Sequence, residues 1–315
     1  MHLKPAKTAA TAATIGGALV LGLGSAQAAM AKPTSIYHVP CSAGALAWAL
    51  SHVSSGGTLF LTAGCTYYLP DGLTDNVDDL TIVGYDSTLR GGGPDSDFSI
   101  LTVNCMKTLT LDGVNFTEGS QEDGGAIDNS GHLTINGGVF SNNTGEYGGA
   151  IDSGGYSSSL TIDNAVFTRN SASDEGGAID VGKDLTVTHT QFGQNTGYYG
   201  GAIYDDADDA TVAQSTFLGN GGDQGGAIYI EDDLTLTNVT GVAGSGNTLS
   251  GNRADQGGGI YNDGDTNLDY SVIVSNEAHA GGGVYNSDCG DIISTTGTTV
   301  YRNVTNNWYQ ESGGC

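Results

Sequence analysis

One short motif, Gly-Gly-Ala-Ile or a close variant, recurs through this chain at a period of about 24 residues, and a fixed period constrains a fold more than any other sequence signal. Its last residue is Ile127, Ile151, Ile179, Ile203, Ile228 or Ile260, with Val284 in the same place. Eleven residues earlier, or twelve in one case, stands Phe116, Phe140, Phe167, Phe192, Phe217, Leu249 or Ile273. Seven residues before most of those comes Leu109, Leu133, Leu160, Leu185 or Ala210. Three apolar anchors at constant offsets imply three short strands per repeat. Each strand alternates, as in Leu133-Thr134-Ile135, so its apolar residues share one face. One repeat cannot bury that face alone. Stacking repeats in register at roughly 4.8 Å sets Ile on Ile and Phe on Phe, and the core becomes continuous.

The expected fold is therefore all-β: a single-stranded, right-handed parallel β-helix of about nine coils. Three residues after each Phe-type anchor stand Asn143, Asn170, Asn195, Asn220, Asn252, Asn276 and Asn303, with Gly119 in the first coil. Asparagine and glycine both tolerate the left-handed backbone of a corner, and stacked Asn side chains can bond along the axis. These positions are read as structural. A β-helix ends in open strand edges, which need covering. The one amphipathic helix, Ser42 to Val53, carries Ala45, Leu46, Ala49 and Leu50 on one side and is read as an N-terminal cap. The expected organisation is a leader over residues 1–28, a cap over 29–79, repeats over 80–288, and a last coil with a C-terminal cap over 289–315. Two Gly/Ser-rich insertions, Gly154 to Ser159 and Asn238 to Thr248, are read as surface loops.

The leader has Lys4 and Lys7, an apolar run from Ala9 to Leu23, and a small-x-small site at Ala26-Gln27-Ala28, with a second at Ala29-Met30-Ala31. A secreted protein is expected, with no membrane insertion. The net charge is −26, from 9 basic and 35 acidic residues. So acidic a chain does not suit nucleic acid or anionic membranes, which need Lys and Arg. Export permits disulfides. Cys41 with Cys65 and Cys289 with Cys315 each bracket one end of the array, leaving Cys105 as an expected buried thiol, though other connectivities remain open.

Phe140-Ser141-Asn142-Asn143 with Gly148-Gly149-Ala150-Ile151, and Phe192-Gly193-Gln194-Asn195 with Gly200-Gly201-Ala202-Ile203, resemble the repeats of the polymorphic outer-membrane proteins of chlamydiae. The resemblance runs from about Leu109 to Asn303 and implies a pectin-lyase-like β-helix of the kind found in surface adhesins. Cys41-Ser42 and the helix after it loosely resemble the cap of secreted bacterial β-helix proteins named for a Cys-Ser-Leu-Arg-Glu-Ala motif, with Ala43-Gly44-Ala45 departing from Leu-Arg-Glu. The chain reaches Cys315 with no membrane-barrel domain, so free secretion is the expectation.

Chemistry is sought beside the Gly-Gly-Ala floor. After each buried Ile comes Asp128, Asp152 or Asp180, then Tyr204, Tyr229, Tyr261 or Tyr285, all expected to point outward. Five residues before the Ile come Glu122, Glu146, Asp174, Tyr198, Asp223, Asp255 and His279. Two such rows imply a shallow groove, acidic in one half and tyrosine-lined in the other. Carboxylates stacked ~5 Å apart repel by about 3 kcal/mol at an effective dielectric near 20. They must splay, share protons or hold a cation. Proton sharing suits glycoside hydrolysis, in which carboxyl pairs ~5–5.5 Å apart give retention and pairs ~6.5–9.5 Å apart give inversion. Asp128, Asp152, Asp180, Glu122, Glu146 and Asp174 are the candidate catalytic acids. Tyr198, Tyr204, Tyr229, Tyr261 and Tyr285 are candidate platforms for a polysaccharide or cell-surface glycan. Asp205, Asp206, Asp208 and Asp209 are the densest candidate for Ca²⁺, which takes six to eight oxygens. Repetition alone also produces rows of exposed residues. The basic residues are too few and scattered for a β-elimination lyase, and neither a zinc spacing nor a nucleophile elbow is present. The reading is a secreted glycan- or partner-binding β-helix, with an extracellular polysaccharide-degrading enzyme as the alternative, a glycosidase ahead of a lyase.

Overall fold

The computed structural model describes residues 34–237 and 246–312, over which the chain winds as a parallel β-solenoid of about 11 turns. Residues 1–33, which include the expected leader, lie outside the described residues, as do Cys315 and most of the Asn238 to Thr248 insertion. Strands pair in parallel with their equivalents one coil on, in the expected register: Phe140 lies beside Phe116 and Phe167, and Ile151 beside Ile127 and Ile179. The turn count exceeds nine because stacking begins before Leu80. Ile36–Val39 pairs with Thr58–Leu61, which pairs with Leu80–Arg90, and Leu73–Asp75 pairs with Leu101–Val103. These early coils lack the glycine motif, so the period did not reveal them. At the other end Trp308–Gln310 continues the stack on Val284–Asn286.

The core is a set of ladders. Phe116, Phe140, Phe167, Phe192 and Phe217 are fully buried, with ring centroids 4.6–5.1 Å apart and planes within 13°. Each such pair is worth about 0.5–1.5 kcal/mol beyond the area it buries. Leu133, Leu160 and Leu185 form a second ladder in register. Gly148 and Gly149 show why the motif needs glycine. Gly148 has φ +58°, and a Cβ on Gly149 would sit 2.3 Å from the carbonyl oxygen of Gly177 in the next coil.

The asparagines bond as a continuous ladder. The Asn143 backbone N–H and Nδ2 both donate to Asn170 Oδ1, at 3.1 and 3.0 Å, and Nδ2 also donates to the Phe116 carbonyl. The pattern repeats at Asn170, Asn195, Asn220, Asn252 and Asn276. The left-handed residue of the corner is, however, the one before each ladder asparagine: Asn142, Arg169, Gln194, Gly219, Gly251, Ser275 or Arg302. The expected axial bonding of the asparagines is present and satisfies buried polar groups of the corner, whereas the expected left-handed backbone falls one residue earlier. A second corner ladder, through Thr190, Ser215 and Asn247, runs beside it. Asn247 is fully buried and anchors the return of the long insertion.

The helix read as a cap spans Ala43–His52 and buries Leu46, Ala49 and Leu50. Cys41 is bonded to Cys65 behind it. Cys105 is free but exposed rather than buried, because it sits in the turn between Leu101–Val103 and Thr108–Thr117. Among the described residues no helix is long and apolar enough to cross a membrane.

Candidate functional site

The outward row exists as read from the sequence. Asp128, Asp152, Asp180, Tyr204, Tyr229, Tyr261 and Tyr285 stand in unbroken register, and Tyr309 extends the row. Its two halves behave differently.

The tyrosines stack on one another. Centroids from Tyr204 to Tyr309 are 4.8–5.3 Å apart and the planes lie within 19°. Tyr204, Tyr229, Tyr261 and Tyr285 are only 3–8% exposed, so their ring faces are occupied by each other. A sugar platform needs an open face, and these rings instead present edges and hydroxyls. Tyr204 donates to the Glu231 carboxylate and Tyr285 to Glu311, the latter at 2.9 Å. Burial pushes the phenols up, Tyr261 to about 12.

The acids cannot stack this way. Burial, then the charges of Asp123 and Asp128, raise Asp152 to about 7. Burial raises Asp180 well above the usual range, with Asp152, Glu175 and Asp206 adding to it. Glu175 reaches about 7 through burial and the charges of Asp174, Glu231 and Asp206. Asp128 is raised by burial and by Asp123. The Gly154 N–H donates to Asp152, and Gly154 and Gly182 put no side chains over this half.

The row flanking this face is displaced by one residue from the expected one. Residues four before the Ile, namely Asp123, Tyr147, Glu175, Tyr199, Gln224 and Gln256, stack in register, and among them Asp123 and Glu175 act on the acids while Tyr199 packs against the tyrosines. Tyr199, for example, meets Tyr229 edge-on at 5.2 Å. Residues five before it turn the other way. Glu122 and Glu146 line a shallow cleft with Asp95 and Asp97. Tyr198, Asp223, Asp255 and His279 line another, of about 630 Å³. Strand alternation does not carry through the first glycine of the motif, whose positive φ reverses the pleat (+58° at Gly176, +67° at Gly200). The structure thus brings Asp128, Asp152 and Asp180 together, holds Glu122 and Glu146 apart from them, and places Tyr198 away from the tyrosine ladder. Asp123, Glu175, Glu231 and Tyr199 were missed, and counting back four positions from the Ile finds three of them; Asp206, read as a candidate Ca²⁺ ligand, joins the acid row instead.

The Asp205–Asp209 run does not converge. Asp205 points into the core and is fully buried, Asp206 faces the acid row, Asp208 pairs with Lys183 at 2.8 Å, and Asp209 is exposed. Among the described residues no three His, Cys, Asp or Glu side chains are grouped to hold a metal ion.

Fold and repeat together define a parallel β-solenoid repeat protein. Residues 164–182, which span the Phe167 to Ile179 coil, match the family model of the Chlamydia polymorphic membrane protein repeat. No curated protein and no solved structure matches the chain.

Proposed function

We propose that this chain is an exported β-solenoid scaffold that binds a surface glycan or cell-surface partner through the acidic half of the ladder face. The observation that carries the reading is the gathering of Asp123, Asp128, Asp152, Glu175, Asp180 and Asp206 over adjacent coils. Lys183, the cation that reaches this group, is already engaged by Asp208. Such a face is lined by carboxyl groups that can accept hydrogen bonds and, where protonated, donate them, so it suits a ligand bearing hydroxyl or amino groups. The test is co-sedimentation with insoluble polysaccharides, including an amino-sugar polymer, using the native chain and the triple variant Asp128→Asn/Asp152→Asn/Asp180→Asn. Binding should weaken about tenfold or more in the variant, some 1.4 kcal/mol. Equal binding by the two proteins would sink the proposal.

A second reading is favoured by one observation. Asp152 and Glu175, each at about 7, are partly protonated at neutral pH, as a general acid in glycoside hydrolysis must be. Neighbouring coils place further carboxyls one and two steps of roughly 4.8 Å away. This reading expects new reducing ends from a polysaccharide panel, abolished by Asp152→Asn. No release from any polymer would refute it.

A further inference from the structure

The 630 Å³ cleft runs mainly along the coils that carry the tyrosine ladder, beside the row of Tyr199, Gln224 and Gln256, and its chemistry differs from that of the acid half. It runs along the solenoid axis between two rails. One rail carries Thr196, Arg253 and Glu277 in register through Gly221. The other carries Tyr198, Asp223, Asp255 and His279, each joined to the next through backbone hydrogen bonds. The floor between them is Gly197, Gly222, Ala254 and Ala278, so no large side chain fills the trough.

Its polar groups are engaged with one another. Arg253 lies 3.5 Å from Glu277, and His279 Nδ1 lies 2.7 Å from Asp255. The carboxylates of Asp223, Asp255 and Glu277 outnumber the Arg253 guanidinium, so an anionic ligand is disfavoured. The engaged groups keep free lone pairs and N–H bonds, which suit the hydroxyls of a neutral polar ligand. Tyr198 is 47% exposed, unlike Tyr204, Tyr229, Tyr261 and Tyr285. It is held by a hydrogen bond to Asp223 and by Tyr199, edge-on at 4.7 Å. A fixed aromatic ring beside polar rails suits the apolar face and hydroxyl rim of a sugar. Backbone groups in the trough are already used between coils: Ala254 N–H donates to Glu277 O, and Asp255 N–H to Asp223 O, at 3.0 and 2.9 Å. An extended peptide would find no free strand edge to pair with there. One coil step of roughly 4.8 Å is close to the length of one hexopyranose in an extended chain.

We propose that this cleft is a second binding site, separate from the acid ladder, for a neutral oligosaccharide lying along the axis, with Tyr198 as the stacking ring and Asp223, Arg253, Asp255, Glu277 and His279 as hydrogen-bonding rails. The experiment is calorimetric titration of the full chain with hexasaccharides of β-1,4-linked glucose, xylose, mannose and N-acetylglucosamine, and of β-1,3-linked glucose. At least one should bind with an affinity that changes little between low and high salt. That affinity should fall about tenfold or more in Tyr198→Ala and in Arg253→Ala, both at exposed side chains, with the circular dichroism spectrum unchanged. The ladder variant Asp128→Asn/Asp152→Asn/Asp180→Asn should retain it, which separates this site from the first. The proposal is overturned if none of the sugars binds, if binding survives Tyr198→Ala and Arg253→Ala, if it collapses with salt, or if it is lost only in the ladder variant.

Discussion

Asp205 offers the sharpest test of how this solenoid is held together. It occupies an inward position of its strand, in register with Val181 on one side and Ile230 on the other. Its side chain is fully buried, and neither carboxylate oxygen has a hydrogen-bond partner of proper geometry. The nearby Ala207 N–H lowers its pKa without offsetting burial, which holds it well above the ordinary carboxylate range. An unsatisfied buried polar group costs about 1–3 kcal/mol. Replacing it by valine removes that cost and adds apolar burial of about 1.5 kcal/mol, giving a Val-Val-Ile stack. Asp205→Val should therefore stabilise the fold by about 2.5–4.5 kcal/mol. The pH dependence carries the sign. An acid whose folded pKa is raised takes up a proton on folding at pH values between its unfolded and its folded pKa. Native stability should then fall, relative to the variant, as pH rises above about 4, by at most ~1.4 kcal/mol per unit until the folded pKa is passed. Urea denaturation of both proteins from pH 4 to 8 measures this. A variant less stable than the native chain, or two parallel pH profiles, would refute the reasoning.

Asn195→Ala should destabilise by about 3–5 kcal/mol in urea unfolding, because it orphans the buried Asn170 N–H and Phe167 carbonyl together. Asp152→Asn should raise the melting temperature more at pH 7 than at pH 4, since native Asp152 titrates near 7 and its ionisation in the fold is disfavoured. An equal shift at both pH values would contradict that cause. Cys41→Ser, which opens the 24-residue span closed with Cys65, should lower stability by about 3 kcal/mol, read by the same urea assay.

Much of the fold could be read from the sequence because repetition states each structural demand many times. Phe140 alone says little; Phe116, Phe140, Phe167, Phe192 and Phe217 at one offset dictate a stack, and that stack is present. Where the pattern was silent, the reading was short. The coils built on Ile36–Val39 and Thr58–Leu61 carry no glycine motif, and the Thr190, Ser215 and Asn247 corner ladder changes residue type at every step. The site was half legible. Asp128, Asp152 and Asp180 follow directly from strand alternation after the Ile. Asp123, Glu175 and Tyr199 lie across a left-handed glycine, where alternation no longer predicts facing. The stacking of the tyrosines is a three-dimensional fact. Their spacing in sequence is the same whether the rings lie open or closed against each other.

The junction between Asp180 and Tyr204 bears on function most directly. On one side of it identical residues attract, and phenols stack with their hydroxyls paired to Glu231 and Glu311. On the other side acids repel, and Asp152 and Asp180 are driven toward their neutral forms by burial first, with Asp123 and Asp128 adding to it at Asp152, and Asp152 and Glu175 at Asp180. Both sequences occupy the same register position on the same strands, so the backbone accommodates either. Continuing the tyrosines through these coils would relieve the repulsion and add stacking of about 0.5–1.5 kcal/mol per pair. Stability alone therefore does not account for three acids in this row. A local arrangement that lowers stability, where the fold itself offers a better one, is the physical ground for placing a ligand there.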